Sequence, residues 1–592
     1  MSSLPPPIHA TTTVSSSAAA SGSHAHKPKE TIQDTIISVV IAFALAFVFR
    51  GFVVEAFVIP TGSMAPTLMG AHERVRSKES GYTWPVGPWY SNTSGQPDYK
   101  AVQGRAPDAP LQVHDPMTGE MLTLSDVPRR SGDRILVLKY LYMLMEPQRF
   151  DVVVFKCPYE PQTNFIKRLV GLPGEEIALV DGDIFTRPAQ TLAARMAGAA
   201  SGAKNPWADS DWKIARKPQL VQEATWQTVF DSDYAPRNSI VTGDHTFSSP
   251  WKSDQPGWKL EGRTYEYDGV AATEVSWDSS RLRYRFRPPS PYPPIDDFWE
   301  INDRYAYDES PQNAYQRFDY MNRTTVRQLF PVSDIRMSAG VRARSTGLKV
   351  QASILARSHE FQMNIEGDQL QLRMKRVDKP EWDVLSQTTI HPIEPGHARN
   401  VQFSHADQQL RAWVDGELVA SGTYDWTPDE RIRMTTLKTL DEVLKIENGV
   451  GLGGETVRSR NVFEDRELYR KPRIKWTFEG SPVLLDRVRV DRDLYYQPDL
   501  TPGQMPSRGS TPWQPVLLNC DQFFVCGDNS PASHDGRKWE APDPWVKPID
   551  DSWGVVPRKL MLGKAFFVYY PAPTWVGGRL PVPDFGRMRF IW

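Results

Sequence analysis

The sequence predicts a mainly β protein in three parts: an N-terminal transmembrane helix, an antiparallel β core, and a β-sandwich inserted into that core. Three observations predict it. An apolar run, Thr35 to Val54, is broken only by Arg50 and Gly51. Short Val-rich segments bounded by Gly, Asp and Pro turn residues flank both ends of a long central stretch. That stretch has its own grammar, with apolar and polar residues alternating at the two-residue period of a half-buried strand.

Residues 1–30 are rich in Ser, Ala, Pro and His and hold too few large apolar groups to offset the entropy of ordering, so a disordered cytoplasmic tail is expected. Residues 31–55 follow as the membrane span, since about 20 helical residues match a hydrocarbon thickness of about 30 Å. A cleaved secretory leader is the rival reading. It is disfavoured because the run leads into Arg50 and Glu55 rather than a small-residue cleavage site. Lys27 and Lys29 place the N-terminus on the cytoplasmic side, and Arg50 can snorkel to the far interface.

The first part of the core occupies 56–185, with strands expected at Phe57–Pro60, Arg134–Lys139, Asp151–Lys156, Phe165–Val170 and Glu176–Val180. Within it, 69–130 is Pro/Gly rich without clear periodicity and reads as an irregular surface excursion. An insertion spans 186–514, its sandwich covering about 225–498. Alternation marks strands at Ile335–Val341, Leu348–Ile354, Phe361–Ile365, Leu370–Met374, Val401–Ser404 and Leu410–Val414, and Asp415-Gly416 is a hairpin turn into Glu417-Leu418-Val419. The second part of the core, 515–592, carries Phe523–Cys526 and Lys564–Tyr570.

A formal charge of -2 over 592 residues supplies no basic field for nucleic acid. Fifty prolines and nineteen tryptophans suit a loop-rich β chain better than a helical bundle. Cys157, Cys520 and Cys526 have no metal-ligand spacing. Cys520 and Cys526 leave two readings open, a bridge on an oxidising face or free strand-borne thiols. No metal or organic cofactor is implied.

The chemistry gathers in a few short boxes. Ile59-Pro60-Thr61-Gly62-Ser63-Met64-Ala65-Pro66-Thr67-Leu68 sets a serine in a tight turn just after the apolar run. A serine nucleophile needs a base and donors for the developing oxyanion. The eleven histidines include none in a motif-like setting, and His72, His114 and His534 read as residues of polar loops. Lysine is the alternative base. Its pKa must fall by roughly 2–3 from about 10.4, at about 3–4 kcal/mol, which burial can supply. Lys167, in Asn164-Phe165-Ile166-Lys167-Arg168-Leu169-Val170-Gly171-Leu172-Pro173-Gly174, sits among apolar neighbours on an expected strand.

These two boxes closely resemble the serine and lysine boxes of the bacterial type I signal peptidases (leader peptidases), serine/lysine endopeptidases. Three more agree in order: Ser131-Gly132-Asp133-Arg134, Arg149-Phe150-Asp151-Val152, and Cys526-Gly527-Asp528-Asn529 leading to Ser533-His534-Asp535-Gly536-Arg537. The resemblance implies Ser63 as nucleophile and Lys167 as general base. It implies an oxyanion hole from the Ser63 N–H and the Thr61 hydroxyl, and Ser533 as the residue orienting the base. Arg168, Asp528, Asp535 and Arg537 become a supporting ion-pair network. Two departures stand out: Gly536 replaces a usual Ser, and Ser530-Pro531-Ala532 replaces a usual Arg-Asp-Asn. Neither removes a catalytic group.

By the same resemblance the substrate is the signal peptide of a secreted preprotein, cut after an Ala-x-Ala type site. It is expected to add as a strand between Phe57–Pro60 and Asn164–Ile166. Phe57, Ile59, Met64, Leu68, Phe165 and Ile166 are the expected lining of shallow apolar pockets. The implied location is the bacterial cytoplasmic (inner) membrane, single-pass, with the catalytic domain on the extracytoplasmic side. The lipid bilayer and the protein export translocon are then partners. The stretch Val401 to Gly422 resembles concanavalin A-like or laminin G-like jelly rolls, which admits a glycan or protein ligand for the sandwich. Two rivals remain: a membrane-anchored lectin-like binding protein with a degenerate peptidase core, and a Ser–Lys self-cleaving regulator. Joint retention of Ser63, Lys167 and Ser533 disfavours the first, and the absence of a DNA-binding N-terminal region disfavours the second.

Overall fold

The computed structural model describes residues 32–52, 54–87, 89–90, 97–98, 111–125, 127–189, 205–236, 241–242, 245–260, 262–279, 283–286, 295–298, 300–308, 329–440, 442, 468–498, 507–512, 515–576 and 580–592. The expected tail, 1–30, lies outside them. Residues 1–53 and 54–592 are two units.

The first unit contributes one helix, Ile32–Phe52. Ile36, Ile37, Val39, Val40, Ile41 and Phe43 are exposed on it. Among the described residues no helix is long and apolar enough to cross a membrane. The expectation of a spanning segment therefore finds its helix but not the uninterrupted apolar length that spanning requires.

The second unit is mainly β. Its core sheet has eight antiparallel strands: Val54–Val58, Arg134–Leu138, Met561–Tyr570, Val152–Cys157, Glu160–Gly171, Gln522–Cys526 and Val556–Pro557 in spatial order, with Arg589–Phe590 paired to Met561–Tyr570. The β-branched run Val152-Val153-Val154 is buried on both faces, because a central strand is covered above and below. Chain neighbours Val152–Cys157 and Glu160–Gly171 form a hairpin that aligns Val153 with Lys167. The last strands return across the chain to complete the sheet, so residues separated by over three hundred positions share it.

A four-stranded sheet follows, ordered Lys213–Ile214, Asp183–Pro188, Glu175–Val180 and Val516–Leu517. Beyond it lies the sandwich. One sheet runs Trp258–Lys259, Thr264–Tyr267, Val483–Arg492, Ile335–Ala343, Ala398–Ala406, Gln409–Val414 and Glu417–Thr423, with Gln227–Asp231 also on Val483–Arg492. The other runs Trp251–Lys252, Thr273–Trp277, Arg473–Glu479, Lys349–Ala356, His359–Glu366, Gln369–Arg376 and Asp383–Thr389. Alternate residues of both sheets (Met337, Val350, Phe361, Phe403, Trp476) enclose one core.

The excursion 69–130 departs from its expected irregularity. His72–Arg76, Thr83–Val86 and Arg129–Arg130 make a three-stranded sheet, and Leu111–His114 pairs with Met121–Leu124. Val75, Trp84, Val86, Leu111 and Val113 form its core. Strands this short carry too few repeats for periodicity to register in the sequence. His72 and His114, expected in polar loops, are buried at strand ends. Cys157, Cys520 and Cys526 are all free, so the bridged reading gives way to free thiols.

Candidate active site

The Ser63 turn is fastened at both ends to one residue, Asp133. Asp133 is fully buried; its carbonyl accepts from the Ile59 N–H at 2.9 Å and its carboxylate from the Met69 N–H at 2.8 Å. The same carboxylate receives the Ala572 N–H at 3.0 Å and the Arg587 guanidinium at 3.0 Å. Gly132 beside it admits no side chain, since a Cβ there would lie 1.7 Å from the Ile59 carbonyl oxygen. Inside the turn, the Ala65 N–H donates to the Gly62 carbonyl at 2.9 Å.

Opposite stands Lys167 on the strand Glu160–Gly171. Its Nζ donates to Ser63 Oγ at 2.8 Å and to the Ile166 carbonyl at 3.1 Å, and lies 5.2 Å from the centre of the Phe165 ring. Only 4% of Lys167 is exposed. Among the described residues it has no carboxylate at ion-pair distance. Burial therefore dominates and lowers its pKa to about 8, with Asp535, Cys157 and Asp528 pulling weakly the other way. None of the described histidines hydrogen-bonds Ser63. A hydroxyl held by a buried amine of this pKa is a pair that can generate an alkoxide near neutral pH.

Behind Lys167 the chain reverses its charge logic. Arg168 is fully buried and bidentate to Asp528 at 2.7 Å, and its remaining N–H groups reach the carbonyls of Phe150 and Trp592. Asp535 is clasped by Arg537 at 2.8 Å and by the Gly527 N–H at 2.9 Å. Burial would push the Asp535 carboxyl up; Arg537 and these hydrogen bonds override it and hold it at about 2. Arg168, Asp528, Asp535 and Arg537 thus form two buried ion pairs.

Ser533 lies against the nucleophile turn, for a Cβ on Gly527 would meet Ser533 Oγ at 2.2 Å and the Ser63 carbonyl oxygen at 2.5 Å. Its hydroxyl is buried beside the Asp535 carboxylate, which it helps hold at low pKa, and makes no hydrogen bond to Lys167. The Ile166 carbonyl holds the amine instead. Thr61 is half-buried, and among the described residues its hydroxyl makes no hydrogen bond. The departure at Gly536 has a steric cause: a Cβ there would lie 2.7 Å from the Gly554 carbonyl oxygen. At the other departure, Ser530 Oγ accepts from Arg537 at 2.6 Å and from the Gln497 N–H at 2.8 Å, which ties the loop down.

The expected pocket lining divides. Ile59, Met64 and Leu68 belong to the core beneath the sheet, at 3%, 0% and 0% exposure, and offer no surface. Phe57, Phe165 and Ile166 are half-buried and keep a free face. Val54–Val58 is an edge strand, and among the described residues Phe165–Lys167 pairs only with Val153–Phe155, so both flanks of the site keep an unpaired edge.

The sequence boxes assign Asn529 no role. Its N–H donates to the Ser63 carbonyl at 3.1 Å and its Nδ2 to the Gly62 carbonyl at 3.2 Å. The Gly-Asp-Asn spacing was the available signal; the partners come from 466 and more residues away in the chain. Among the described residues, Asp183, Asp334 and Asp407 bring carboxylate oxygens within 4.8 Å of one another. Arg357, Arg431 and Lys217 already neutralise that cluster, which leaves little charge for a metal to satisfy.

Comparison with known proteins points the same way. The family model described as "Signal peptidase, peptidase S26" matches residues 32–99 and 123–229, the stretch that holds Ser63 and Lys167 but not Asp528 or Arg537. The chain is 27% identical over 148 residues to a Signal peptidase I of Rickettsia bellii, covering 25% of this chain and 37% of that relative. It is 28% identical over 159 residues to that of Rickettsia typhi (27% and 45%), and 45% identical over 58 residues to that of Pseudomonas aeruginosa (8% and 20%). The chain thus spans less than half the length of these relatives. Among solved structures, it is similar to a carbohydrate binding module from Bacillus subtilis (8% identical, 41% of this chain and 96% of that chain, TM-score 0.20). A laminarinase from Rhodothermus marinus gives 8%, 45%, 98% and 0.23. At such TM-scores these two likenesses carry no argument.

Proposed function

We propose that this protein is a serine endopeptidase that removes N-terminal signal peptides from exported proteins through a Ser63/Lys167 dyad. The observation that carries the reading is the 2.8 Å approach of a buried, low-pKa amine to a serine hydroxyl in a fastened turn. The partial match to signal peptidases supports it.

Neutral Lys167 accepts the Ser63 proton as Oγ bonds to the scissile carbonyl carbon, and the carbonyl oxygen becomes an oxyanion facing the Ser63 N–H and the Thr61 hydroxyl. Collapse breaks the C–N bond, and Lys167 returns the proton to the leaving amine, which is the new N-terminus of the mature protein. Water then attacks the acyl-enzyme, loses its proton to Lys167, and regenerates Ser63. Substrate lies extended against the free edges beside Phe57 and Phe165. The half-buried Phe57, Phe165 and Ile166 would line the shallow pockets for small residues that an Ala-x-Ala site requires.

The same reading places the protein at the bacterial inner membrane, its catalytic unit outside the cytoplasm. Lipid is the medium that would cover the exposed face of Ile32–Phe52. Carbonate extraction of membranes checks this: recovery of the whole chain in the wash refutes it. The enzymatic reading is tested with Ser63→Ala and Lys167→Met on a membrane-bound preprotein. Each should abolish release of the mature product; undiminished release by either overturns it.

A further inference from the structure

The inserted region reaches into the site. Tyr305, Tyr307 and Asp308, around the one-turn helix Ala306–Asp308, are all at least 95% buried. Tyr305 Oη donates to the Asp528 carbonyl at 2.6 Å, and Tyr307 Oη donates to the Ala71 carbonyl at 2.8 Å. The Tyr307 ring covers Gly62: a Cβ there would lie 2.1 Å from its Cε1. Asp308 accepts from Asn529 Nδ2 at 3.0 Å. The segment is tied back to the sandwich, since Arg492 donates to the Arg304 carbonyl at 2.8 Å and stacks on the Tyr305 ring at 4.4 Å.

We infer that Asp308 and Tyr307, contributed by the insertion, are positioning residues that aim the Ser63 N–H at the oxyanion. This deepens the proposed function and rests on it. The argument is the rigidity of the peptide plane. The Gly62 carbonyl and the Ser63 N–H belong to one planar trans unit and point in opposite directions. Whatever holds the carbonyl therefore aims the N–H. The Ala65 N–H holds it from within the turn at 2.9 Å and Asn529 Nδ2 from outside at 3.2 Å; the Asp308 carboxylate takes the other Nδ2 hydrogen, which fixes the amide with its nitrogen toward Gly62. A flipped amide would set an oxygen against both the Gly62 carbonyl and the carboxylate. Tyr307 packs its ring directly against Gly62, which leaves no room beside that residue for the backbone to move toward it. The nucleophile is thereby assembled by three distant parts of the chain, one of them outside the peptidase-like core.

The test is kinetic and structural, on the full-length chain. Asp308→Ala should lower kcat roughly 10–100-fold, part of the 10²–10³ typical for losing an oxyanion donor, with KM within about twofold. The rise of activity toward pH 8 should stay in place, because Lys167 is untouched. Asp308→Asn, which keeps an acceptor, should recover most of the loss. Hydrogen exchange of the peptide covering 60–70 should quicken in Asp308→Ala and not in Asp308→Asn. Unchanged exchange, unchanged kcat in an active enzyme, or equal damage from both variants overturns the inference. A wild-type chain as inert as Ser63→Ala would overturn the peptidase reading instead, while the exchange measurement still decides whether Asp308 braces the turn.

Discussion

Two buried lysines, Lys167 and Lys217, share an environment and differ in company. They are 4% and 5% exposed, and burial acts on both to favour the neutral amine. At Lys167 the contacts are a hydroxyl and a carbonyl, so burial prevails. Lys217 meets Asp407 at 2.6 Å and Asp493 at 3.0 Å, and these carboxylates push its pKa well above the ordinary range. It joins a larger assembly in which Arg357 and Arg431 of the insertion grip Asp181 at the tip of the hairpin Glu175–Pro188 at 2.7 and 2.9 Å. Desolvation is thus common to an amine whose pKa falls and to one whose pKa rises. The presence of a carboxylate in contact decides between them.

The largest effect that could break this contrast is on turnover. Lys167→Met should lower peptide release on the order of 10⁴-fold or more, because dyad members act as a unit. Lys217→Met should leave the folded fraction's kcat within a few-fold; an equal loss at both positions would erase the distinction.

Stability should order the two the other way. Removing Lys217 strands Asp407 and Asp493 as buried anions, at about 3–5 kcal/mol in urea unfolding. Lys167→Met should instead be stabilising at pH 7, by roughly 2–4 kcal/mol. The sign follows from linkage. With a folded pKa of about 8 against about 10.4 unfolded, the unfolded state binds more protons between those values. Stability of the wild type therefore rises across that window, and the advantage of Met should shrink as pH approaches 10. A variant no more stable than wild type at pH 7 would show that water reaches the amine.

The pH–rate profile sharpens the same point. Below pH 8, kcat/KM should climb about tenfold per unit as Lys167 deprotonates, then level. A profile flat from pH 6 to 9 would assign the proton to another group. The smallest expected change is Tyr305→Phe, which deletes one hydrogen bond to the Asp528 carbonyl and should cost about 1 kcal/mol by thermal or urea unfolding.

Much of this was legible in the sequence because it is local. The strands around Val152-Val153-Val154 and Phe165 followed from β-branched runs and turn residues, and appear within a few residues of their expected limits. Alternation located the strands from Ile335–Ala343 to Glu417–Thr423 except Asp383–Thr389, and Asp415-Gly416 is a positive-φ turn between the last two. Ser63 and Lys167 stood out through their boxes. Ser533, Met64 and Leu68 show where such reading stops. A serine close to the site need not bond the base, and apolar residues beside a nucleophile can be core rather than pocket. Asp133 and Asn529 were visible as box members, yet their work is to hold Met69 and Gly62, and no spacing rule announces a partner that remote.

The amino-acid order alone located most of the strands and turns outside 69–130 and singled out Ser63 and Lys167 as the candidate nucleophile and base. Those properties depend on side-chain type and on neighbours within a few residues. Only the tertiary structure decided that Lys167 goes uncompensated while Lys217 is neutralised, and that Tyr307 and Asp308 close over the serine turn. Such outcomes turn on which distant groups come within about 3 Å, and at that range a charge or a carbonyl outweighs every local preference.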